Sequence, residues 1–283
     1  MTETNLDKTK TSSYKKIKSK LIIKKIFSLL PEYNLLKIIR HNKEIQDKLN
    51  KDIDDYKKAL ISEILIIPKD KVYGQIINKI PRNSLKYFHF YLNDAKNELN
   101  RTYFTKEDNA KKIRIIIDYD FTNFSGLFQN RYYIKEVNFI KLYRYNITNI
   151  SNMFYKCLSL EKINLSRFNT CNVTDMSNMF GECKSLKIVE FGKFKFRTNN
   201  VTNMSNMFYN CKKLESLDLS NFVINNLTNM NNMFYGCSSL KDLNLASLIM
   251  IIISIIKELY SQALFNYLNW IYLNLKLGAE IIK

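Results

Sequence analysis

Five cysteines and two histidines are the residues of this sequence best suited to metal binding or nucleophilic chemistry. Four cysteines recur at spacings of 26, 28 and 26 residues, as Cys157, Cys183, Cys211 and Cys237. Thiolates that share one zinc ion must converge to about 2.3 Å from it, whereas this spacing distributes them along a stack of repeats. We therefore predict four small buried apolar side chains with reduced thiols. Cys171 lies outside this column, and we expect it to be the exposed thiol.

The other residue types that enzymes use form no catalytic pattern. His41 lies in a predicted helix and His89 in the aromatic segment LKYFHFYL, and neither has a metal ligand four residues on. The six glycines form no phosphate-binding loop. The aromatic segment could stack nucleic-acid bases, but a buried strand or helix face is the simpler interpretation. We therefore predict a non-enzymatic protein without a cofactor, a metal or a small-molecule substrate.

The cysteine column belongs to a sequence repeat, seen where NVTDMSNMFGECKSLKIVEF at Asn172 is followed by NVTNMSNMFYNCKKLESLDL at Asn200. Self-similarity at this period indicates stacked repeats. Four clear copies and a degenerate copy before them occupy residues 113–248. Each copy keeps its apolar residues in fixed columns. In the third clear copy these are Val201, Met204, Met207, Phe208, Cys211, Leu214, Leu217, Leu219 and Phe222.

The spacing of these columns predicts two elements in each copy. Leu214, Leu217 and Leu219 have the spacing of a short parallel strand whose alternate side chains point inward. Equivalent strands are predicted at 163–165, 189–191, 217–219 and 243–245. The preceding apolar residues recur at three- and four-residue intervals, which predicts a short helix. Its N-cap candidates are Thr202, Asn203 and Ser205, and asparagines 172, 200 and 226 are predicted to begin the turn and tolerate unusual dihedrals.

The repeat pattern N-V-T-x-M-S-x-M-F-x-x-C-x-x-L-x-x-L-x-L-S-x-F resembles that of the BspA-like leucine-rich repeat family of surface proteins. The resemblance covers nearly half of the chain. It implies an α/β solenoid, a leucine-rich-repeat-like array of short parallel strands and short helices. It also implies a non-enzymatic role in adhesion and binding, at a cell surface. The repeat defines a scaffold and does not identify a ligand.

Residues 19–112 form a different segment, predicted to be an α-helical N-terminal region. KLIIKKIFSLLPEYNLLKIIRHNKEIQDKL has apolar residues at helical spacing on both sides of Pro31, which predicts two helices. The layout weakly resembles an F-box, in which a helical hairpin docks a ubiquitin-ligase adaptor, and this resemblance implies Ile26, Phe27 and Leu30 as docking residues. A helical cap on the first repeat is the simpler interpretation.

The chain carries 44 Lys and Arg against 26 Asp and Glu, a formal charge of +18. Such a charge is typical of partners such as nucleic acid or an anionic membrane. An AT-rich codon bias explains it more simply, because Ile, Lys and Asn are abundant while Ala, Gly and Pro are rare. The densest basic patch, Lys15 to Lys25, adjoins a predicted flexible tail at residues 1–18, so contact with an anionic partner would use the N-terminus. Residues 1–20 show no secretory signal, which favours a cytoplasmic location.

The outward-pointing strand positions are the candidate partner-binding residues. They hold one base and three acids within a basic chain, which favours a protein partner with a basic or polar patch over phosphate backbones. The rival functions are a ligase adaptor and a nucleic-acid or membrane binder. The outward positions are Lys162, Asn164, Ile188, Glu190, Ser216, Asp218, Asp242 and Asn244.

Residues 249–283 abandon the repeat without a polar cap. The apolar run from Leu248 to Ile256 has nine residues, whereas a helix that spans a membrane needs about 20. An amphipathic C-terminal cap is one interpretation. We favour a shifted reading frame, because the codons around Trp270, read one base earlier, can spell L-D-L-S-K-F, the counterpart of residues 217–222.

Overall fold

The computed structural model describes residues 20–28, 38–39, 42–50, 54, 57–58, 60–78, 80, 82–118, 120–142, 146–192 and 196–245. The predictions for the basic tail, for Leu30, Pro31 and His41, and for residues 249–283 lie outside these residues. Within the part of the chain that is described, no helix is long and apolar enough to cross a membrane.

Two short helices occur near the N-terminus, α1 at Lys20–Ser28 and α2 at Lys43–Leu49. Asn42 caps α2, since its Oδ1 accepts a hydrogen bond from the Ile45 amide at 3.1 Å. Asn50 ends the helix in a left-handed conformation, with φ at 54°. The inward side chains of Ile45 and Leu49 are buried. α-Helical structure in the described N-terminal region is therefore limited to short segments before residue 60.

The rest of the N-terminal region is not helical. Residues 62–117 form five strands, namely β1 at Ser62–Pro68, β2 at Gly74–Gln75, β3 at Phe88–Leu92, β4 at Tyr103–Phe104 and β5 at Ile113–Ile117, with a 3-10 helix at Arg82–Tyr87. In β1 every second residue is buried, so Ser62, Ile64, Ile66 and Pro68 face the core. β2 pairs only with β4 in a small antiparallel sheet. The prediction of an α-helical region up to residue 112 was wrong.

A six-stranded mixed sheet joins this region to the repeats, in the order β3-β5-β1-β6-β7-β8. The repeats supply β6 at Ile134–Lys141, β7 at Lys162–Leu165 and β8 at Ile188–Phe191. β1 pairs antiparallel with β5 and β6, whereas β6, β7 and β8 pair parallel. The last two copies contribute β9 at Ser216–Asp218 and β10 at Asp242–Asn244, which form a separate parallel pair.

Successive tight turns replace the short helices that the sequence predicts between the strands. In the copy that contains Cys211, the amides of Met207, Tyr209 and Cys211 each donate to the carbonyl three residues earlier, at 3.0 to 3.2 Å. Asn206 and Asn210 take left-handed φ angles of 54° and 56°, which interrupt right-handed helical geometry every fourth residue. The described part of each repeat contains no α-helix.

Alternate amides of this turn segment bind the next repeat instead of their own. Asn206, Phe208 and Asn210 donate to the carbonyls of Asn231, Met233 and Tyr235 at 2.9, 2.9 and 2.7 Å. An α-helix would need every amide for its own i−4 carbonyl. A periodicity of three and four residues is therefore produced here by turns that share their hydrogen bonds between layers. The α/β solenoid that the sequence predicts is not the fold, because the main sheet is mixed and the repeats lack helices.

The asparagines predicted to take unusual dihedrals are also not the ones that do so. Positive φ angles occur at asparagines 152, 178, 206 and 232, in the middle of the turn segment. Asn200 and Asn226 instead donate from their side chains to the carbonyls of Cys171 and Asn199, both at 2.6 Å. The side chain of Asn203, predicted as a helix cap, accepts from the Ser205 amide at 3.0 Å within a turn.

The apolar columns form one core that continues from the repeats into the six-stranded sheet. All nine columns of the copy from Val201 to Phe222 are buried, and the equivalent residues of the degenerate copy are buried as well. A row of phenylalanines stacks through successive layers, with ring centroids 5.3 to 5.9 Å apart; these are Phe128, Phe154, Phe180, Phe208 and Phe234. The inward direction of the columns is therefore confirmed, although the element that carries them differs.

Candidate partner-binding face

The candidate face lies on the outer side of the sheet, because successive side chains of a strand point to opposite sides. In β7, Ile163 and Leu165 are fully buried, while Lys162 and Asn164 are half-buried and point the other way. Ile188 in β8 has 47% of its surface exposed, which is a large exposure for an isoleucine in a strand. Lys162, Asn164 and Ile188 therefore point away from the core.

The parallel register arranges the outward side chains in rows across the strands. Glu136, Lys162 and Ile188 lie side by side in β6, β7 and β8. The Lys162 Nζ is 2.8 Å from the Glu190 Oε1, in the neighbouring row. The hydrogen bond and the charge of Glu190 raise the pKa of Lys162. Because both side chains are about 40% exposed, the pair orders the face and adds little stability.

One row extends beyond the repeats over all six strands of the sheet. Asn138 of β6 and Asn164 of β7 are paired, and Asn138 faces Leu65 of β1 on its other side. Leu65 in turn faces Arg114 of β5, which faces Tyr91 of β3. The row is Tyr91, Arg114, Leu65, Asn138, Asn164 and Glu190. The candidate face is therefore wider than the repeat strands alone.

Arg114 gives the antiparallel half of this row a defined surface. Its guanidinium carbon lies 4.3 Å from the centre of the Tyr91 ring, within the range of a cation–π contact. Its Nη1 is 3.9 Å from the Glu63 Oε1, and Glu63 also lies on the outer side of β1. Tyrosine and arginine are the residue types that most often dominate binding energy in protein interfaces.

The sequence could not indicate this half of the face. Residues 62–68, SEILIIP, are almost wholly apolar, so their composition does not separate the inner side of the strand from the outer side. Tyr91 lies in an aromatic segment, and the composition of that segment likewise does not separate its inner side from its outer side. The available signal was the period-two alternation in FHFYL, where Phe88 and Phe90 are buried and His89 is half-buried.

β9 and β10 carry the other four candidate residues on a separate patch. Ser216, Asp218, Asp242 and Asn244 are all exposed, and the register pairs Ser216 with Asp242 and Asp218 with Asn244. This patch belongs to the two-stranded sheet and not to the main one. The eight predicted residues therefore lie on two neighbouring sheets instead of one.

Two of the eight residues also stabilise their own turns. Asn164 Oδ1 accepts from the Ser166 amide, and Asp218 Oδ1 accepts from the Ser220 amide, both at 2.9 Å. These bonds fix the side chains at the end of each strand. The Asp218 carboxylate is therefore held in a fixed position at the end of β9.

The residues implied as an adaptor-docking surface are not exposed together. Phe27 is buried and Ile26 is half-buried, while Leu30 lies outside the described residues. A buried phenylalanine supports the folding of the N-terminal helices and offers no surface to another protein.

The cysteine column donates hydrogen bonds between repeats. The Sγ atoms of Cys157, Cys183, Cys211 and Cys237 lie 3.0 to 3.2 Å from the carbonyl oxygens of phenylalanines 128, 154, 180 and 208. Burial raises the pKa of the Cys157 thiol to about 12, so it stays protonated and donates. Among the described residues, no group of three His, Cys, Asp or Glu side chains could hold a metal ion.

His89 forms the most polar small cluster of the main sheet. Its Nδ1 lies 3.1 Å from the Glu98 Oε1, and its Nε2 lies 3.5 Å from the Asp118 Oδ1. All three side chains are about one-third to two-fifths exposed. The cluster borders the Ile116 position of the outer face.

Residues 122–247 match the model of a protein family described as Mycoplasma protein of unknown function, DUF285. The match covers less than half of the 283-residue chain and coincides with the stacked repeats. No curated protein and no solved structure gave a match. Over its repeats the chain is therefore similar to DUF285 proteins, and the description of that family assigns them no activity or partner.

Proposed function

We propose that the chain is a non-enzymatic scaffold that binds a protein partner through the outer face of its strands. The row of outward side chains across all six strands of the main sheet is the observation that carries this proposal. A set of aligned, half-exposed polar and apolar side chains across a sheet suits recognition of another protein, whereas a small molecule would need a concave site.

The composition of the face supports a protein as the partner. Tyr91, Leu65 and the exposed Ile188 provide apolar and aromatic contact area, and the polar residues around them can supply hydrogen bonds at a rim. The resemblance of the repeat motif to BspA-like proteins agrees with a binding role, and it would place the chain among adhesion proteins.

The charge of the face supports a basic or polar segment on that partner. Asp218 and Asp242 are exposed on β9 and β10, while the only base among the eight predicted positions, Lys162, is already paired with Glu190. A phosphate backbone would be repelled by this acidic patch, although the chain as a whole has a charge of +18. Complementary charge on a partner would increase the rate of association and its selectivity.

Capture from cells with variants of the full-length chain that place a cation on the face tests the proposal. The wild type and the variants Ile188→Lys and Asp242→Lys would be immobilised, and the retained proteins would be quantified by mass spectrometry. We expect a protein retained by the wild type to be lost from both variants, because each change places a cation on the face. Its binding to the purified chain should then weaken about tenfold or more in each variant.

The control variant is Glu107→Lys, which makes the same change of charge as Asp242→Lys in the exposed loop between β4 and β5. It should retain the partner as well as the wild type does. Equal loss from the control would show that net charge, and not the face, determines retention. A partner that binds Ile188→Lys and Asp242→Lys normally would contradict the proposal, provided that both variants unfold in urea like the wild type.

A further inference from the structure

A cavity of about 420 Å³ lies where the N-terminal region meets the degenerate first repeat, beside the small β2–β4 sheet and the 3-10 helix. This volume lies within the range of sites for small ligands, roughly 300 to 1,000 Å³. Ile77, Ile80 and Leu85 provide an apolar wall, and Gln75, Arg82 and Arg131 provide polar groups. The composition is typical of a ligand site, which combines an apolar lining with a few placed polar groups.

Arg131 is held in one orientation at this cavity. Its Nη2 donates to the Asn78 Oδ1 at 3.2 Å, and its Nη1 donates to the Gln75 carbonyl oxygen at 3.5 Å. Asn78 is itself fixed, since its side chain donates to the Gly126 carbonyl at 3.1 Å and its amide donates to the Leu127 carbonyl at 2.7 Å. The guanidinium is therefore preorganised before any ligand binds.

The Nε–H of this guanidinium has no partner among the described residues. Arg131 Nε is buried, and none of the described residues accepts a hydrogen bond from it. A buried donor without an acceptor is unfavourable, so native structures seldom leave one unexplained. Because the Nε itself is buried, an oxygen atom bound in the cavity would contact this guanidinium at its Nη atoms, and an anionic oxygen would do so best.

The charges around the cavity agree with an anion. Arg82 contributes a second, exposed guanidinium to the lining. No aspartate or glutamate occurs among the described residues that line the cavity. From this geometry we propose that the cavity binds a small organic anion, whose charged oxygens contact Arg131 and Arg82 and whose apolar body packs against Ile77, Ile80 and Leu85.

Calorimetric titration of the full-length chain with hexanoate at constant ionic strength tests this site. We expect saturable binding to the wild type that weakens about tenfold or more in Arg131→Gln and in Arg82→Gln, because each loses a charge-assisted hydrogen bond. Arg82 is exposed, so its variant keeps the fold even if Arg131→Gln does not. Lys213→Gln removes an exposed charge outside the cavity lining and should bind hexanoate like the wild type.

Two further ligands separate the charge from the apolar body. Hexanamide has the same shape as hexanoate without its charge, and we expect it not to bind. Inorganic phosphate has the charge without the apolar body, and we expect it to bind more weakly than hexanoate. Equal binding of either ligand, unchanged binding in Arg82→Gln, or no saturable binding of hexanoate would overturn the proposal.

Discussion

The thiol of Cys211 lies 3.2 Å from the carbonyl oxygen of Phe180 and donates a hydrogen bond from one repeat to the repeat before it. The same carbonyl accepts the amide of Cys183 at 3.0 Å, so a carbonyl at the end of each turn segment receives one bond from its own layer and one from the next. The cysteine therefore serves in this column as a small buried donor. An aliphatic residue would fill the space but could not donate the hydrogen bond.

The first prediction concerns the reactivity of the five thiols. Cysteines 157, 183 and 211 are buried, whereas Cys171 is partly exposed. We expect an alkylating reagent to label Cys171 first and Cys237 next in the native chain, with the three buried thiols labelled only after unfolding. Mass spectrometry of partly labelled protein measures the order. Equal labelling of all five thiols, or stoichiometric zinc in the purified protein, would contradict the buried column.

The second prediction concerns alkaline pH. Burial raises the pKa of the Cys157, Cys183 and Cys211 thiols above an ordinary value of 9, to about 12 for Cys157. Below pH 9 these thiols are protonated in both states, and their stabilising effect is fully present. Above pH 9 the unfolded thiols ionise first, so stability falls by about 1.4 kcal/mol per pH unit for each one until the folded pKa is reached.

Urea unfolding under reducing conditions at several values between pH 8 and the onset of alkaline denaturation measures this dependence. Cys183→Ala removes one of the three thiols, so its stability should fall with pH less steeply than that of the wild type by the contribution of about one proton. Identical slopes in the two proteins would show that the buried thiols do not control alkaline unfolding.

The third prediction concerns the stacked phenylalanines. Phe208 is fully buried between Phe180 and Phe234, with ring centroids 5.5 and 5.9 Å away. Phe208→Ala should lower the free energy of unfolding by about 3 to 5 kcal/mol, and Met207→Ala by about 2 to 5 kcal/mol, because each leaves a cavity in a packed core. Asp218→Ala, on the exposed strand patch, should lower it by less than about 1 kcal/mol. The reverse order in urea melts would be incompatible with the observed core.

The buried core could be predicted from the apolar columns of the repeat. The backbone conformation of the turn segments could not, because their sequence fits both a helix and a series of turns. Met204, Met207, Phe208 and Cys211 recur at helical spacing, and all four are buried. Tandem turns give the same spacing as a helix, so periodicity cannot distinguish them. The decisive signal is the asparagine that precedes each Met-Phe pair, because asparagine tolerates a left-handed φ better than most residues. The asparagines predicted for that role, 172, 200 and 226, do not have positive φ angles.

The extent of the candidate face was unpredictable for a different reason. The row from Tyr91 to Glu190 depends on the register of β1 against β5 and β6, which the apolar sequence of β1 does not specify. The separation of β9 and β10 coincides with the repeat spacing of 28 residues between Cys183 and Cys211, two more than in its neighbours. That difference was visible in the sequence, but its consequence for the sheet required the structure.

The fourth prediction concerns the left-handed residues of the turn segment. Asn206 has a φ of 54°, and its amide donates to the next repeat. Asn206→Ala should lower the free energy of unfolding by about 1 to 2 kcal/mol, because alanine adopts this conformation poorly. Asn206→Gly should be nearly neutral, since glycine adopts it readily. Urea melts of both variants and of the exposed control Lys213→Ala measure the free energy of unfolding. A glycine variant less stable than the alanine variant would contradict the explanation by backbone strain.

The last prediction concerns a hydroxyl that joins two repeats. Thr198 is fully buried, its Oγ1 donates to the Val223 carbonyl at 2.8 Å, and the same oxygen accepts from the Val223 amide at 2.6 Å. Thr170 makes the same pair of bonds with Arg197 in the preceding layer, at 2.7 and 2.6 Å. Each threonine hydroxyl therefore bonds both the amide and the carbonyl of one residue in the following repeat.

Thr198→Val keeps the shape of the side chain and removes both bonds, so it should lower the free energy of unfolding by about 1 to 3 kcal/mol. Thr198→Ser keeps the hydroxyl and loses one buried methyl group, which should cost about 0.8 kcal/mol. Urea melts compare the two, and hydrogen exchange of the Val223 amide should be faster in the valine variant only. A serine variant less stable than the valine variant would show that Thr198 acts through packing and not through its hydrogen bonds.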